Sequence, residues 1–180
     1  MIISVDPSSE RMGLVAISIE RPYRVIAAAV FGPHDARSME GLRTLIEEAA
    51  AWIRDIVVFN PETPLARIVV EQLTQNQRLA SLMAAVMAID AVMTRDGGRT
   101  GTGTVHAGSV DRHFNLVQPP TLRGMARYRA NKRASIAAVC AMGYDLAMLH
   151  CDGTWETADC PEALLQGIAF LDWYQTILTG

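Results

Sequence analysis

Short apolar runs separated by polar breaks dominate the first third of the chain. Ile2, Ile3 and Val5 precede Asp6, Pro7-Ser8-Ser9-Glu10-Arg11 reads as a turn, and Leu14-Val15-Ala16-Ile17 follows. This pattern predicts a β-hairpin whose first strand ends on an acid. Arg24 to Phe31 (RVIAAAVF) predicts a third strand, closed by Gly32-Pro33-His34-Asp35. The period then changes. Leu42, Leu45, Ile46, Ala49, Trp52, Ile53 and Ile56 recur at spacings of three and four, which predicts a helix over Ser38 to Val58 with Ser38 as N-cap. Asn60 to Pro64 is a loop, and Arg67 to Val70 is a short strand that again runs into an acid, Glu71.

Further along, Gln77 to Met93 predicts a helix rich in Ala, Met and Leu, and Asp96 to Gly103 predicts a loop. The pattern then gives a strand over Thr104 to Ala107, a short helix or turn over Ser109 to Phe114, and a loop over Val117 to Arg129 containing Pro119-Pro120. Asn131 is placed to cap a helix running to about Met142, and Asp159 opens the last helix, carrying Leu164, Leu165, Ile168, Leu171 and Trp173. The order is three strands in a meander, then alternating helices and strands. It predicts an α/β domain with a mixed five-stranded sheet, the later strands parallel and joined by right-handed crossovers. The carboxyl ends of neighbouring parallel strands meet at one sheet edge, where sites are usually built. Asp6 and Glu71 both fall there, and Asp159 and Glu162 lie one helical turn apart at the start of the last helix.

Composition narrows the class. The 180 residues suffice for one domain, 1–180, with a full core, and half of them are hydrophobic. No apolar run reaches the roughly 18 residues of a membrane helix, and no basic and apolar leader opens the chain, so the expectation is an intracellular protein, not a secreted one. Cys140, Cys151 and Cys160 are odd in number and lack metal-ligand spacing, which fits thiols in a reducing compartment. Net charge is −3, yet Arg112 to Arg133 holds six Lys or Arg and no acid, leaving −9 on the rest. That window is a candidate phosphate-contact surface or a solvated face. The Gly-rich stretch DGGRTGTG matches no phosphate-cradle motif.

A carboxylate at the end of a buried strand is costly to desolvate without a partner. Asp6, Glu71, Asp159 and Glu162 gathered at one point would repel one another, and divalent cations with oxygen ligands, Mg²⁺ above all, resolve that repulsion. Two such ions about 4 Å apart can activate a water and stabilise the leaving oxygen of a phosphodiester. Each acid also has a plainer reading. Asp6 suits a turn start before Pro7, Glu71 suits an ion pair with an arginine, and Asp159-x-x-Glu162 has the form of a capping box with Pro161 in the first turn. Lys132 reads equally as a surface lysine.

Four segments fall together in a familiar order: the strand-end Asp of IISVDPSSERMG, the Glu of IVVEQLTQNQR, RYRANKRASIAAV with its Tyr-x-x-Asn-Lys, and the terminal DCPEALLQGIAF. In this set and order the chain resembles the RuvC-like Holliday junction resolvases, most closely their poxvirus-type and related viral or mitochondrial branch. The resemblance spans nearly the whole chain. It departs from the family in Glu162, where an Asp is usual, in Pro161 within the pair, and in Thr157 and Ala158, where a Lys or Asp often precedes it.

The resemblance implies a ribonuclease H-like fold and a homodimer that cuts opposed strands of a four-way DNA junction. It implies Asp6, Glu71, Asp159 and Glu162 as catalytic ligands of two Mg²⁺ ions, with Mn²⁺ as substitute. Lys132 would contact DNA or the scissile phosphate. Gln72, Asn76 and Arg78 would hold phosphate at a helix start, and Arg123, Arg127, Arg129 and Arg133 would add backbone contacts. The protein would work in the cytoplasm or wherever DNA is replicated in the cell. Two other functions stay open: a ribonuclease H-like nuclease for RNA–DNA hybrid or structured RNA, and a junction-binding protein that kept the fold without the metal site. An actin-like ATPase is set aside, because it needs two such lobes.

Overall fold

The computed structural model describes residues 1–7, 11–32, 38–71, 101–116, 118–119 and 121–179. Its centre is a five-stranded sheet of order β3-β2-β1-β4-β5, formed by β1 (Ile2–Pro7), β2 (Met12–Ile17), β3 (Val25–Phe31), β4 (Arg67–Glu71) and β5 (Gly101–Val105). The first three strands pair antiparallel, and β1–β4 and β4–β5 pair parallel. This is the expected mixed sheet. Four helices accompany it among the described residues: α1 (Met39–Phe59), α2 (Ala107–His113), α3 (Gly124–Ala141) and α4 (Asp159–Thr179).

Strand alternation divides the core into two layers. On one face Ile3, Val5, Leu14, Ala16, Ile68 and Val70 pack on Leu45, Ala49 and Ile53 of α1. On the other, Ile2, Val15, Ile17, Val69 and Val105 pack with Ile136 and Val139 of α3 and Ala163, Leu164 and Ile168 of α4. Central strands covered on both sides read as continuous apolar runs, which is why β1 and β2 are so plain in the sequence. The α1 N-cap is the expected one, with Ser38 Oγ accepting from the Gly41 N–H at 3.0 Å.

Three boundaries differ from expectation. Strand β5 occupies Gly101–Val105, not Thr104 to Ala107, because pairing with β4 overrides the weak strand preference of its glycines. Gly103 has a packing reason to be there: a Cβ would lie 2.8 Å from Cε2 of Phe170. Helix α2 starts earlier than Ser109, with His106 Nδ1 accepting from the Gly108 N–H at 3.1 Å. Helix α3 begins at Gly124 and not at Asn131, so the last six residues of the expected Val117–Arg129 loop are helical. Its first six residues are all exposed, so no apolar period marks them, although Met, Ala and Arg favour helix. The expected helix Gln77–Met93 and the residues before Gly101 lie outside the described residues. No described helix is long and apolar enough to cross a membrane.

Helix α4 lies close against β1 and β2 because glycines admit it. A Cβ on Gly13 would stand 2.5 Å from the Asp159 carbonyl carbon, and one on Gly167 would stand 2.4 Å from Ile17 Cδ1 and 3.0 Å from Ser4 Cβ. Gly13→Ala is therefore expected to push back the start of α4 at a cost of about 1–3 kcal/mol. Thermal melting checks this; an unchanged midpoint would mean that the helix shifts at no cost.

Candidate active site

The parallel pairing of β1 with β4 runs from Ile2↔Arg67 to Val5↔Val70, and its next step sets Asp6 beside Glu71. By alternation both acids point to the face that carries α4. Asp6 stands opposite Gly13 in the hairpin, and Gly13 is where the backbone of Asp159 comes closest. The first turn of α4 then brings Asp159 and Glu162 over the same point. One carboxylate oxygen from each of Asp6, Asp159 and Glu162 lies within 4.8 Å of the others. Glu71 joins through Gln166, whose buried amide Nε2 donates to Asp6 Oδ1 at 3.4 Å and to Glu71 Oε2 at 3.3 Å.

Lys132 occupies the middle of this group. It is 4% exposed, and its Nζ donates to Asp159 Oδ1 at 3.1 Å and to Glu162 Oε2 at 2.6 Å. It is thus no surface lysine; α3 reaches into the cluster from above. Arg11 approaches from the hairpin, its Nε 3.7 Å from Asp159 Oδ2. The hydrogen bonds of Asp159 and Glu162 go to Lys132, and α4 itself begins with the Glu162 N–H bonded to the Ala158 carbonyl.

Electrostatics follow from this crowding. Burial, then the charge of Glu71, holds the Asp6 carboxyl well above the ordinary range. Burial, then the charge of Glu162, does the same to Glu71. Burial and the charge of Asp6 push Glu162 up to about 8 despite Lys132. Burial alone would lower Lys132, but Glu162, Asp6 and Asp159 outweigh it and hold the ammonium above its usual value. Asp111 of α2 adds to the negative field on Glu71; burial raises its own carboxyl against the pull of Arg127 and Arg112.

The donor set suits a hard divalent cation. All the ligand atoms are carboxylate oxygens, and buried Asp159 Oδ2 has no hydrogen-bond partner. Asp6, Asp159 and Glu162 are the residues that would hold it, and Glu71 lies outside this trio, tied to it by the Gln166 amide. The cysteines are elsewhere: buried Cys160 donates to the Ala29 carbonyl at 3.2 Å, and burial pushes its thiol up to about 12. Arg123, Arg127, Arg129 and Arg133 are exposed along α3, apart from Lys132. Gln72, Asn76 and Arg78 lie outside the described residues. Sequence reasoning missed Gln166, Arg11 and Asp111. Gln166 follows Glu162 by four residues, the spacing that keeps side chains on one helix face.

No protein-family model and no curated protein sequence matches the chain. Solved structures do. Thermus thermophilus RuvC in complex with a Holliday junction substrate superposes with a TM-score of 0.60 at 10% identity, covering 96% of this chain and 95% of that one. Fowlpox virus resolvase in complex with substrate Holliday junction DNA gives 0.57 at 14% identity, covering 96% and 97%. The yeast mitochondrial Holliday junction resolvase Ydc2 gives 0.54 at 9% identity, covering 96% and 78%. The fold is that of the RuvC-like resolvases. The expected ribonuclease H-like class is thereby the observed one, while at these identities the likeness concerns the backbone.

The raised carboxyls carry a pH signature. A buried acid whose folded pKa exceeds its unfolded value stabilises the fold while protonated, fully below the unfolded pKa, and loses that contribution as pH rises through the folded value. For Glu162 the window runs from about 4.5 to about 8. Lys132 stays charged throughout it. With chelator present, the melting midpoint should fall as pH rises across this window. Glu162→Gln should flatten the fall, and Mn²⁺ should restore stability at the alkaline end. Calorimetry in matched buffers checks this; a midpoint that climbs with pH would contradict the reading.

Proposed function

We propose that this chain is a metal-dependent endonuclease that resolves four-way DNA junctions. The observation that carries the reading is the convergence of Asp6 from β1 with Asp159 and Glu162 from the first turn of α4, at the carboxyl edge of a sheet whose fold is shared with resolvases bound to Holliday junctions. In this reading Asp6, Glu71, Asp159 and Glu162 hold two Mg²⁺ ions per subunit, with Mn²⁺ as substitute. When bound, such ions supply activation of the attacking water and stabilisation of the leaving oxygen. The chain's own residues do the rest. The acids fix the place of the reaction, Gln166 keeps Asp6 and Glu71 together, and Lys132 balances charge as a phosphate is drawn in. Exposed arginines of α3 hold the DNA backbone.

A four-way junction is pseudo-symmetric, and a homodimer with two symmetry-related sites makes paired nicks in it. The whole chain acts as one nuclease domain, at the intracellular site where recombining or replicating DNA is found. Fowlpox virus and yeast mitochondrial resolvases superpose within the range of two bacterial RuvC structures, 0.53 and 0.60, so assignment to the viral or mitochondrial branch rests on the sequence segments. One observation favours a second reading. Lys132 already hydrogen-bonds both Asp159 and Glu162, as it would in a junction-binding protein that uses no metal.

The deciding experiment incubates labelled four-way junction, linear duplex, single strand and RNA–DNA hybrid with Mg²⁺ or with chelator. Metal-dependent paired nicks confined to the junction are expected. Cutting of the hybrid instead would move the protein to the ribonuclease class, and tight junction binding without cutting in any metal would support the non-catalytic reading. Asp6→Asn should abolish cleavage and leave junction binding within about twofold; wild-type cutting by this variant would remove Asp6 from the mechanism. Charge reversal at Arg127 and Arg129 should weaken binding and reduce the salt slope by about 1 for each phosphate no longer neutralised. An unchanged slope would take both residues out of the interface.

A further inference from the structure

Gln166 meets the carboxylate cluster as a neutral side chain, and half of its amide is unused. It is 4% exposed and lies one helical turn after Glu162 on the same face of α4. Its Nε2 donates to both Asp6 Oδ1 and Glu71 Oε2. Its Oε1 is buried and has no hydrogen-bond partner among the described residues. A buried carbonyl oxygen without a partner is costly, and native structures keep few of them. Ser4 stands two residues before Asp6 on the same strand face, and its buried Oγ also lacks a partner among the described residues. Gly167, next along α4, sets helix against strand so closely that a Cβ there would stand 3.4 Å from Ser4 Oγ. The Gln166 side chain is therefore confined between helix and sheet. One motion remains cheap: a turn about its last side-chain bond, which exchanges nitrogen and oxygen at nearly the same place.

That exchange matters to the acids. In the metal-dependent reading four carboxylates already crowd one point, and a fifth would deepen their repulsion. An amide oxygen adds a ligand for Mg²⁺ or Mn²⁺ and brings no charge. An amide can also meet Asp6 and Glu71 in two ways, as donor to their oxygens or as a further oxygen around a cation between them. Lysine in its place would serve only the first arrangement, glutamate only the second, and methionine neither.

We propose that Gln166 is a ligand of a divalent cation held between Asp6 and Glu71, its amide turning so that Oε1 replaces Nε2 as the atom that faces them. The proposal rests on the metal-dependent reading and deepens it, by giving the Glu71 side of the site a neutral oxygen from α4.

The test uses the whole chain with Mn²⁺ alone, in the absence of DNA. In crystals grown with Mn²⁺, the anomalous peak beside Asp6 and Glu71 should lie within about 2.5 Å of Gln166 Oε1. In calorimetric titrations Gln166→Met should bind Mn²⁺ about tenfold more weakly. Gln166→Glu, which keeps an oxygen, should bind it no more weakly than the parent. With chelator in alkaline buffer the order should reverse, and Gln166→Glu should melt below Gln166→Met, because it adds a fifth acid and removes the donors. The same melts confirm that both variants fold. A Mn²⁺ peak on the acids with the amide beyond about 3 Å, its Oε1 bonded instead to Ser4 or a water, would overturn the ligand and leave the metal-dependent reading standing. Parent-like Mn²⁺ affinity in Gln166→Met would do the same. Failure of the parent protein to bind Mn²⁺ would overturn both.

Discussion

Buried like charge is the constraint to which the rest of this molecule answers. Asp6, Glu71 and Glu162 lose hydration at the sheet edge and repel one another, which is why their carboxyls are pushed up. Lys132 sits inside the group, and only their combined field keeps it charged against its own burial. The lysine and the acids are thus mutually dependent. Deleting one partner of such a buried pair typically costs about 3–5 kcal/mol, because the other charge is left uncompensated. A well-packed apolar cluster would be at least as stable in the same space. The arrangement is therefore better understood as chemistry that the fold tolerates than as a source of stability.

The backbone makes the crowding possible. Parallel pairing of β1 and β4 in one register, with a side-chain period of two, sends Asp6 and Glu71 to the same face. The α4 start reaches them only because Gly13, paired with Asp6 across the hairpin, has no side chain. Gly167 repeats the device two turns on, above Ile17 and Ser4. Gln166 is beside it, so the stretch that lets the helix settle on the sheet also supplies the amide that bridges Asp6 and Glu71.

How much of this was legible depends on how each element is held. Strands β1 to β4 and helix α1 are covered by core, so their burial is written as apolar runs or a helical period, and the sequence shows both. The two strand-end acids and the pair opening α4 were legible for the same reason: each is a polar residue at a place where the pattern demands burial. Helix α3 was half hidden. Its exposed first turns carry no apolar period, and only the helix preference of Met, Ala and Arg marked them. Strand β5 was obscured by glycines, of which Gly103 owes its place to the ring of Phe170, far along the chain on α4. Only the family resemblance put Lys132 at the site; its own sequence surroundings did not show its central place among the acids. A lysine on a helix has a solvent-facing explanation until the partners on another element are known.

Helix α3 joins what the net charge conceals. At −3 the chain as a whole should repel a polyanion, and a phosphate drawn to four carboxylates meets that repulsion at its worst. In the proposed reading the exposed half of α3 answers at a distance with arginines, whose field would raise the local concentration of DNA. Its buried half answers at close range with Lys132, and Tyr128 stands at the join. Because one rigid helix carries both, the outer and inner positive charges keep a set separation. In the proposed reading that separation would fix how far a held DNA backbone lies from the acids. A substitution that tilted α3 would disturb binding and the charge balance of the cluster together. The proposed function therefore depends less on how much positive charge the chain has than on the single rod that delivers it to two depths.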